Sequence, residues 1–161
     1  MKILKILIFT IFFFSISIAQ KIPSVNIKTL EGKTVNTISF DNNGDPVIVS
    51  FWALWCKSCI KELEAIAEVY EDWQEETGVK LVAISIDDTR SMNKVMPYVN
   101  ASDWDYEVYL DSNSELKRAM GVQTVPHTFL LNGKNEIVWQ HKGYVDGDED
   151  KLLEQIQKIA K

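Results

Sequence analysis

The sequence predicts an α/β domain whose mixed central sheet carries helices on both faces. An almost continuous apolar segment, 46–53, precedes an amphipathic helix that ends at Gly78, and a second apolar segment, 79–86, follows it. Strand, helix and strand in this order predict two parallel strands joined by a right-handed crossover. A hairpin over 127–140 and a helix over 148–161 then add antiparallel strands and a final helix, which makes the sheet mixed.

The predicted helix after the first strand has one apolar stripe. Its apolar residues recur at spacings of three and four with charged residues between them, so one face is buried and the other meets water. The stripe consists of Ile60, Leu63, Ile66 or Ala67, Tyr70 and Trp73. A further helix is expected over 89–100, with Pro97 bending or ending it, then a short strand over 106–110 and a short helix over 112–120.

Residues 20–45 predict a β-hairpin at the edge of the sheet. Apolar residues alternate with polar ones on either side of a turn at Gly32, and the second strand includes Val35 and Ile38. This hairpin precedes the first central strand.

The segment 1–19 has the pattern of a secretory signal peptide. Two lysines begin it, an apolar core follows over 6–18, and small residues precede the cleavage point after Ala19. An uncleaved N-terminal membrane anchor is the alternative, although the apolar run is shorter than the ~18–20 residues that span a bilayer. Either reading places the domain, 20–161, outside the cytoplasm.

Composition and cysteine content exclude several classes of protein. The chain has 17 Lys and Arg against 23 Asp and Glu, a net charge of -6, which disfavours binding to nucleic acids. Its only cysteines, Cys56 and Cys59, close too short a loop to staple a fold. A zinc site would need more ligands than His127 and His141 supply, and a loop histidine such as His127 is expected to be solvated. We therefore expect a redox dithiol, with no metal and no cofactor.

The dithiol lies where the first central strand gives way to a helix that begins near Lys57. A helix N-terminus presents unpaired N–H groups and a partial positive charge, and both stabilise a thiolate. Cys56, just before the helix, is therefore expected to be the more exposed sulfur and the nucleophile.

Further residues give the chain a resemblance to the thioredoxin fold. They are Phe51-Trp52-Ala53-x-Trp55-Cys56-x-x-Cys59, Val125-Pro126 some seventy residues later, and Gly133 in the following turn. The N-terminal hairpin, Asp87-Asp88, the Tyr-Leu-Asp at 109–111 and Glu62 are similar to the TlpA-like and ResA-like extracytoplasmic thiol-disulfide oxidoreductases. The resemblance covers 20–161 and implies a thioredoxin-like three-layer fold with an added N-terminal β-hairpin.

The resemblance also implies roles for individual residues. Cys59 would resolve the mixed disulfide that Cys56 forms with a substrate, and Trp55 would shield the dithiol. Pro126 would be cis, facing the dithiol, and would leave the backbone of Val125 free to pair with an extended substrate segment. Glu62 would accept the proton of Cys59, and the alternative for Glu62 is a solvated helix carboxylate.

Two positions depart from the relatives' pattern. Thioredoxin has a buried aspartate where this chain has Ser50, and serine cannot act as a carboxylate base. Lys57-Ser58 replaces the proline-containing dipeptide that is usual between the cysteines, so the redox potential cannot be carried over.

The expected function is reduction of disulfides in exported proteins, with electrons from a membrane thiol-disulfide donor and apocytochrome c as one possible substrate. We expect a monomer. A disulfide-forming oxidant of the DsbA kind would use the same cysteines and is the first alternative. A thiol peroxidase would have a threonine where this chain has Ala53, which counts against that class. A non-catalytic peptide-binding domain would have no need of an intact Cys-x-x-Cys.

Overall fold

Residues 20–160 are described by the computed structural model, and their centre is a seven-stranded mixed sheet. Its strands are β1 (Asn26–Thr29), β2 (Thr34–Asn36), β3 (Val47–Trp52), β4 (Lys80–Ser85), β5 (Glu107–Leu110), β6 (His127–Leu131) and β7 (Ile137–Lys142). The helices are α1 (Lys57–Thr77), α2 (Val95–Ala101), α3 (Glu115–Ala119) and α4 (Asp148–Gln157). Two short 3-10 helices span Thr37–Phe40 and Met92–Lys94.

The strands lie in the order β2-β1-β5-β4-β3-β6-β7. Strands β3 and β4 are parallel, as the strand–helix–strand pattern predicted. Strand β5 is also parallel to β4, whereas β6 and β7 are antiparallel to their neighbours. The first described residues lie beside the β7 edge of the sheet, where Lys21 forms a β-bridge with Glu136, just before β7. The chain then crosses to the opposite edge, where the predicted hairpin, β1 and β2, extends the sheet next to β5.

Both faces of the central strand are covered. All six residues of β3 are buried, and successive side chains of a strand point to opposite faces. Ser50 faces α1, which packs with α4, whereas Phe51 points the other way and meets Phe129 edge-on, with ring centroids 5.9 Å apart. Because every side chain of β3 is buried, both faces of the sheet are covered at this strand, as a three-layer fold requires.

Helix α1 begins and ends where the sequence predicted. Cys56 is its N-cap, and Gly78 ends it in the left-handed region at φ +68°, which favours glycine. Of the predicted stripe, Leu63, Ile66, Tyr70 and Trp73 are buried, and Ile60 is half-buried. Glu62 is buried on this helix as well, at 5% exposure, so its reading as a solvated carboxylate is wrong.

The second predicted helix is shorter than expected. A 3-10 turn precedes α2, and Pro97 lies in the first turn of α2, where the missing N–H has no intrahelical partner to lose. Pro97 therefore neither bends nor ends the helix. Helix α3 begins late because the Asp111 carboxylate accepts three of its N–H groups, from Glu115, Leu116 and Lys117.

Ile38 lies in a 3-10 helix rather than in the second strand of the hairpin. The side chain of Asn36 accepts a hydrogen bond from the N–H of Ile38 and so ends β2. The turn directs Phe40 into the core, where it is fully buried. Alternation in the sequence could not reveal this cap.

The proposed signal segment, 1–19, lies outside the described residues. Within 20–160, none of the helices combines the length and the apolar character that a membrane span requires.

Candidate active site

The dithiol and its surroundings lie at one end of the central strands. In β3, Phe51 is opposite His127 of β6, and Trp52 is level with Ser85 of β4. The segments that continue from these strands therefore meet at the same edge of the sheet. They are the turn 53–56, the Val125-Pro126 loop and Asp87. The carboxyl ends of parallel strands are the usual location of active sites in such sheets.

Asp87 fixes the turn that leads to the dithiol. Its carboxylate is 1% exposed, and Oδ2 accepts hydrogen bonds from the N–H of Leu54 and the hydroxyl of Ser85, both at 2.9 Å. The turn itself closes through a bond of 3.0 Å from the N–H of Cys56 to the carbonyl of Ala53. The sequence indicated Asp87 only as part of a resemblance, and its contact with the turn needed the fold.

Replacing Asp87 by alanine should lower the free energy of unfolding by about 2 kcal/mol. The change leaves the buried hydroxyl of Ser85 and the N–H of Leu54 without their acceptor, and an unpaired buried donor costs about 1–3 kcal/mol. Urea unfolding of the oxidised protein measures it. The matched control is Asp105→Ala, since Asp105 is exposed and its carboxylate has no hydrogen bond or ion pair among residues 20–160, and such substitutions usually change stability by less than ~0.5 kcal/mol. Equal losses in the two variants would contradict this assignment.

Cys56 and Cys59 form the predicted disulfide. Cys56 is 6% exposed and Cys59 is fully buried, so Cys56 is the outer sulfur. The Cys56 Sγ accepts a hydrogen bond of 3.2 Å from the N–H of Cys59 in the first turn of α1. In the reduced protein this donor and the positive end of the helix would favour the Cys56 thiolate over the thiol.

Glu62 lies in a polar contact between α1 and the sheet. Its Oε1 accepts a hydrogen bond of 2.7 Å from the Thr128 hydroxyl, and its Oε2 accepts one of 3.1 Å from the Ser50 hydroxyl. Burial raises the pKa of Glu62 to about 7, and the two hydroxyl groups oppose that rise. A carboxyl group with this pKa can take up or release a proton near neutral pH.

Thr128 was missed by the sequence reasoning. It lies opposite Ser50 in the pairing of β6 with β3, and its Oγ1 is 3.1 Å from Ser50 Oγ. A signal was available, because each of these apolar strands contains one small hydroxyl residue. The position where thioredoxin places a carboxylate thus holds a hydroxyl that binds the Glu62 carboxylate from the facing helix.

The Val125-Pro126 peptide bond is cis, as the resemblance implied. The carbonyl of Pro126 accepts a bond from the N–H of Gly143, whereas the hydrogen bonds among residues 20–160 include none to the backbone of Val125. Trp55, which directly precedes Cys56 in the chain, is 67% exposed.

His127 is not the solvated loop residue that the sequence suggested. It begins β6 and is 1% exposed, and its Nε2 lies 3.0 Å from Oε1 of Gln140. The ring stacks on Phe129, with centroids 4.1 Å apart. Burial lowers the pKa of His127, so its imidazole is neutral at physiological pH. Strand pairing, rather than local composition, decides its environment.

A family model described as AhpC/TSA matches residues 18–140 of this chain. The chain belongs to the AhpC/TSA family. One curated relative is sporulation thiol-disulfide oxidoreductase A of Bacillus subtilis, which is 35% identical to this chain over 118 residues. The match covers 72% of this chain and 69% of that protein. Thiol-disulfide oxidoreductase ResA of Bacillus thuringiensis subsp. konkukian is 29% identical over 143 residues, 89% of this chain and 79% of the relative.

A solved structure of similar fold supports the same placement for this AhpC/TSA family member. The solution structure of an uncharacterized thioredoxin-like protein from Porphyromonas gingivalis has a TM-score of 0.77 and 47% sequence identity. The match covers 86% of this chain and 91% of that one. The thioredoxin-like fold and the resemblance to the ResA-like branch are therefore confirmed.

The position of the Cys56–Cys59 disulfide supports one reaction, thiol-disulfide exchange. A disulfide with an outer sulfur at a helix N-terminus exchanges with other thiols and disulfides, which makes this family member a thiol-disulfide oxidoreductase. Among the residues 20–160, His, Cys, Asp and Glu side chains form no group of three that could hold a metal ion.

Proposed function

We propose that this thiol-disulfide oxidoreductase works outside the cytoplasm as a reductase of disulfides in exported proteins. The observation that carries the proposal is the Cys56–Cys59 disulfide at the start of α1, with Cys56 outermost. The signal-like segment 1–19 supports the location. Relatives named thiol-disulfide oxidoreductase support the reaction.

The reaction begins with the reduced protein. The Cys56 thiolate attacks one sulfur of a substrate disulfide, the substrate S–S bond breaks, and the other substrate sulfur leaves as a thiolate that takes a proton from water. The Cys59 thiolate then attacks Cys56 Sγ, forms the Cys56–Cys59 bond and releases the second substrate thiol. Two electrons pass to the substrate, and the protein ends in the disulfide form seen in the structure.

Glu62 is the proposed proton acceptor for Cys59. Cys59 is fully buried and must lose its proton before it can resolve the mixed disulfide. Glu62 follows it by three residues on α1, so the two side chains are neighbours on one side of the helix. A pKa of about 7 leaves a large share of Glu62 ionised and able to accept a proton at neutral pH.

Replacing Glu62 by glutamine should slow resolution of the mixed disulfide by about a hundredfold, the low end of what a general base contributes. Stopped-flow fluorescence with a disulfide peptide would measure the rate. In the wild-type protein the rate should fall as the pH decreases through about 7 and Glu62 becomes protonated, whereas the variant should lack this step. The first attack, measured in a Cys59→Ser background, should be unchanged. If both steps slow equally, Glu62 is not the acceptor.

The substrate would lie between two surfaces. The unpaired backbone of Val125, beside the cis Pro126, can form strand-like hydrogen bonds with an extended segment, and the exposed Trp55 offers an apolar contact. We propose a membrane thiol-disulfide protein as the electron donor and apocytochrome c cysteines as one class of substrate. The protein is proposed to act as a monomer, after cleavage of the signal segment or anchored by it.

The redox potential of the Cys56/Cys59 pair tests the direction of electron flow. Equilibration with glutathione buffers, followed by Trp fluorescence, would give the value. A potential close to that of thioredoxin, about -270 mV, supports a reductase, whereas one near that of DsbA, about -120 mV, would establish the oxidant instead. Partners trapped as mixed disulfides on Cys59→Ser would then identify the substrates.

A further inference from the structure

A groove beside the dithiol has a local charge opposite to that of the whole chain. It lies between the first turn of α1 and the loop that joins β7 to α4, and its volume is about 430 Å³. Its lining residues are Lys57, Ser58, Lys61, Tyr144, Val145 and Asp146. We refer to it as the Lys57 groove. Lys57 and Ser58 lie between the cysteines in the chain, and Ser58 Oγ is 3.6 Å from Cys56 Sγ, so the groove adjoins the reacting sulfur.

The Lys57 groove is cationic within an acidic protein. Lys57 is exposed and has no carboxylate within 4.0 Å among residues 20–160, while Lys61 lies 3.9 Å from Asp146 in a pair exposed at 66% and 86%. Exposed pairs of this kind are weak, so both ammonium groups stay available to a ligand. The N-terminus of α1 adds positive charge. The chain as a whole carries -6.

Two of the three acidic residues that follow the groove-lining loop are already engaged, and the third, Asp150, is exposed on α4 and does not line the groove. Glu149 accepts a hydrogen bond of 2.7 Å from the Tyr144 hydroxyl and one of 3.1 Å from the N–H of Gly147. Asp148 accepts one of 2.7 Å from Lys151. These carboxylates are directed to their own loop and helix, which leaves Asp146 as the single carboxylate on the groove wall.

We infer that the Lys57 groove selects cysteine-containing segments that carry Asp or Glu within two residues of the reacting cysteine. The inference rests on the proposed exchange at Cys56 and adds a substrate class to it. Opposite charges at a contact surface raise both the rate of encounter and the preference for the matching partner. Val145, 64% exposed, provides an apolar contact beside the charges.

The test measures mixed-disulfide formation by the reduced Cys59→Ser protein, which does not depend on the direction of electron flow. Three peptides share one cysteine, capped with thionitrobenzoate, and differ only in Asp, Ser or Lys at the positions two residues before and after it. The Cys56 thiolate attacks the peptide sulfur and displaces the coloured thionitrobenzoate anion, which is followed by absorbance. The quantity compared is the ratio of second-order rate constants, Asp peptide over Lys peptide, in which changes of intrinsic Cys56 reactivity cancel.

We expect the Asp peptide to react about tenfold faster than the Lys peptide at low salt, since exposed ion pairs are individually weak and two of them act together. The ratio should shrink at high ionic strength, because salt screens exposed charges. Lys57→Glu combined with Lys61→Glu should invert the ratio. The matched control, Lys134→Glu, changes an exposed lysine in the turn between β6 and β7 and should leave the ratio unchanged.

The outcomes separate this inference from the proposed function. If no peptide forms a mixed disulfide, the proposed exchange at Cys56 fails. If all three react at the same rate, or if the Lys57 and Lys61 variant keeps the wild-type ratio, the exchange stands and the charge selection is overturned.

Discussion

Replacing Cys56 by serine is expected to abolish disulfide reduction, with a loss of at least about a thousandfold in rate, because a hydroxyl group is not ionised at neutral pH and does not attack a disulfide. Turnover of a fluorescent disulfide substrate with a thiol reductant measures the loss. Cys56 is also the N-cap of α1, and serine is a good N-cap, so the variant should keep its fold.

The partner variant, Cys59→Ser, separates the two steps. It keeps the nucleophile, so it should react once and accumulate the mixed disulfide without turning over, as seen by mass spectrometry. Disulfide reduction by Cys56→Ser at the wild-type rate would instead show that Cys56 is not the nucleophile. A mixed disulfide on Cys59 in that variant would reverse the assignment of the two sulfurs.

Glu62 should make the folded protein less stable as the pH rises from 5 to 8. Its pKa is raised from 4.5 to about 7 in the fold, so between these values the folded chain holds a proton that the unfolded chain has released. Stability therefore decreases across this window and levels off above it. At 1.36 kcal/mol per pKa unit, the contribution of Glu62 falls by about 3 kcal/mol.

Comparison with Glu62→Gln isolates this contribution. Urea unfolding of both oxidised proteins, from pH 5 to pH 8, should show the variant gaining about 3 kcal/mol relative to the wild-type protein, since other groups titrate alike in both. Glu64→Gln removes an exposed carboxylate from the same helix, and a surface change of this kind should stay within ~0.5 kcal/mol at both pH values. A constant difference between Glu62→Gln and wild type would show that Glu62 titrates alike folded and unfolded.

The order of elements and the identity of the reacting pair follow from the amino-acid chain alone. Continuous apolar segments, and apolar residues spaced three and four positions apart, depend only on which faces of a strand or helix are buried. The positions of β3, α1 and β4 could therefore be predicted from the sequence. The spacing of the two cysteines was enough to predict a redox-active dithiol. Local composition was also enough to predict the hairpin β1–β2. It did not predict the hydrogen bond by which the Asn36 side chain ends β2.

The tertiary structure decided the environments of the polar residues near the dithiol. Glu62, His127 and Asp87 look like ordinary surface or loop residues in the chain, and all three are buried. Apart from Ser85, two residues before Asp87, their partners lie 12 to 66 positions away in the chain, and local periodicity contains no information on such pairs. Burial beside Ser50 and Thr128 is what brings the Glu62 carboxyl near neutral pKa, and only the packing of α1 on the sheet produces it.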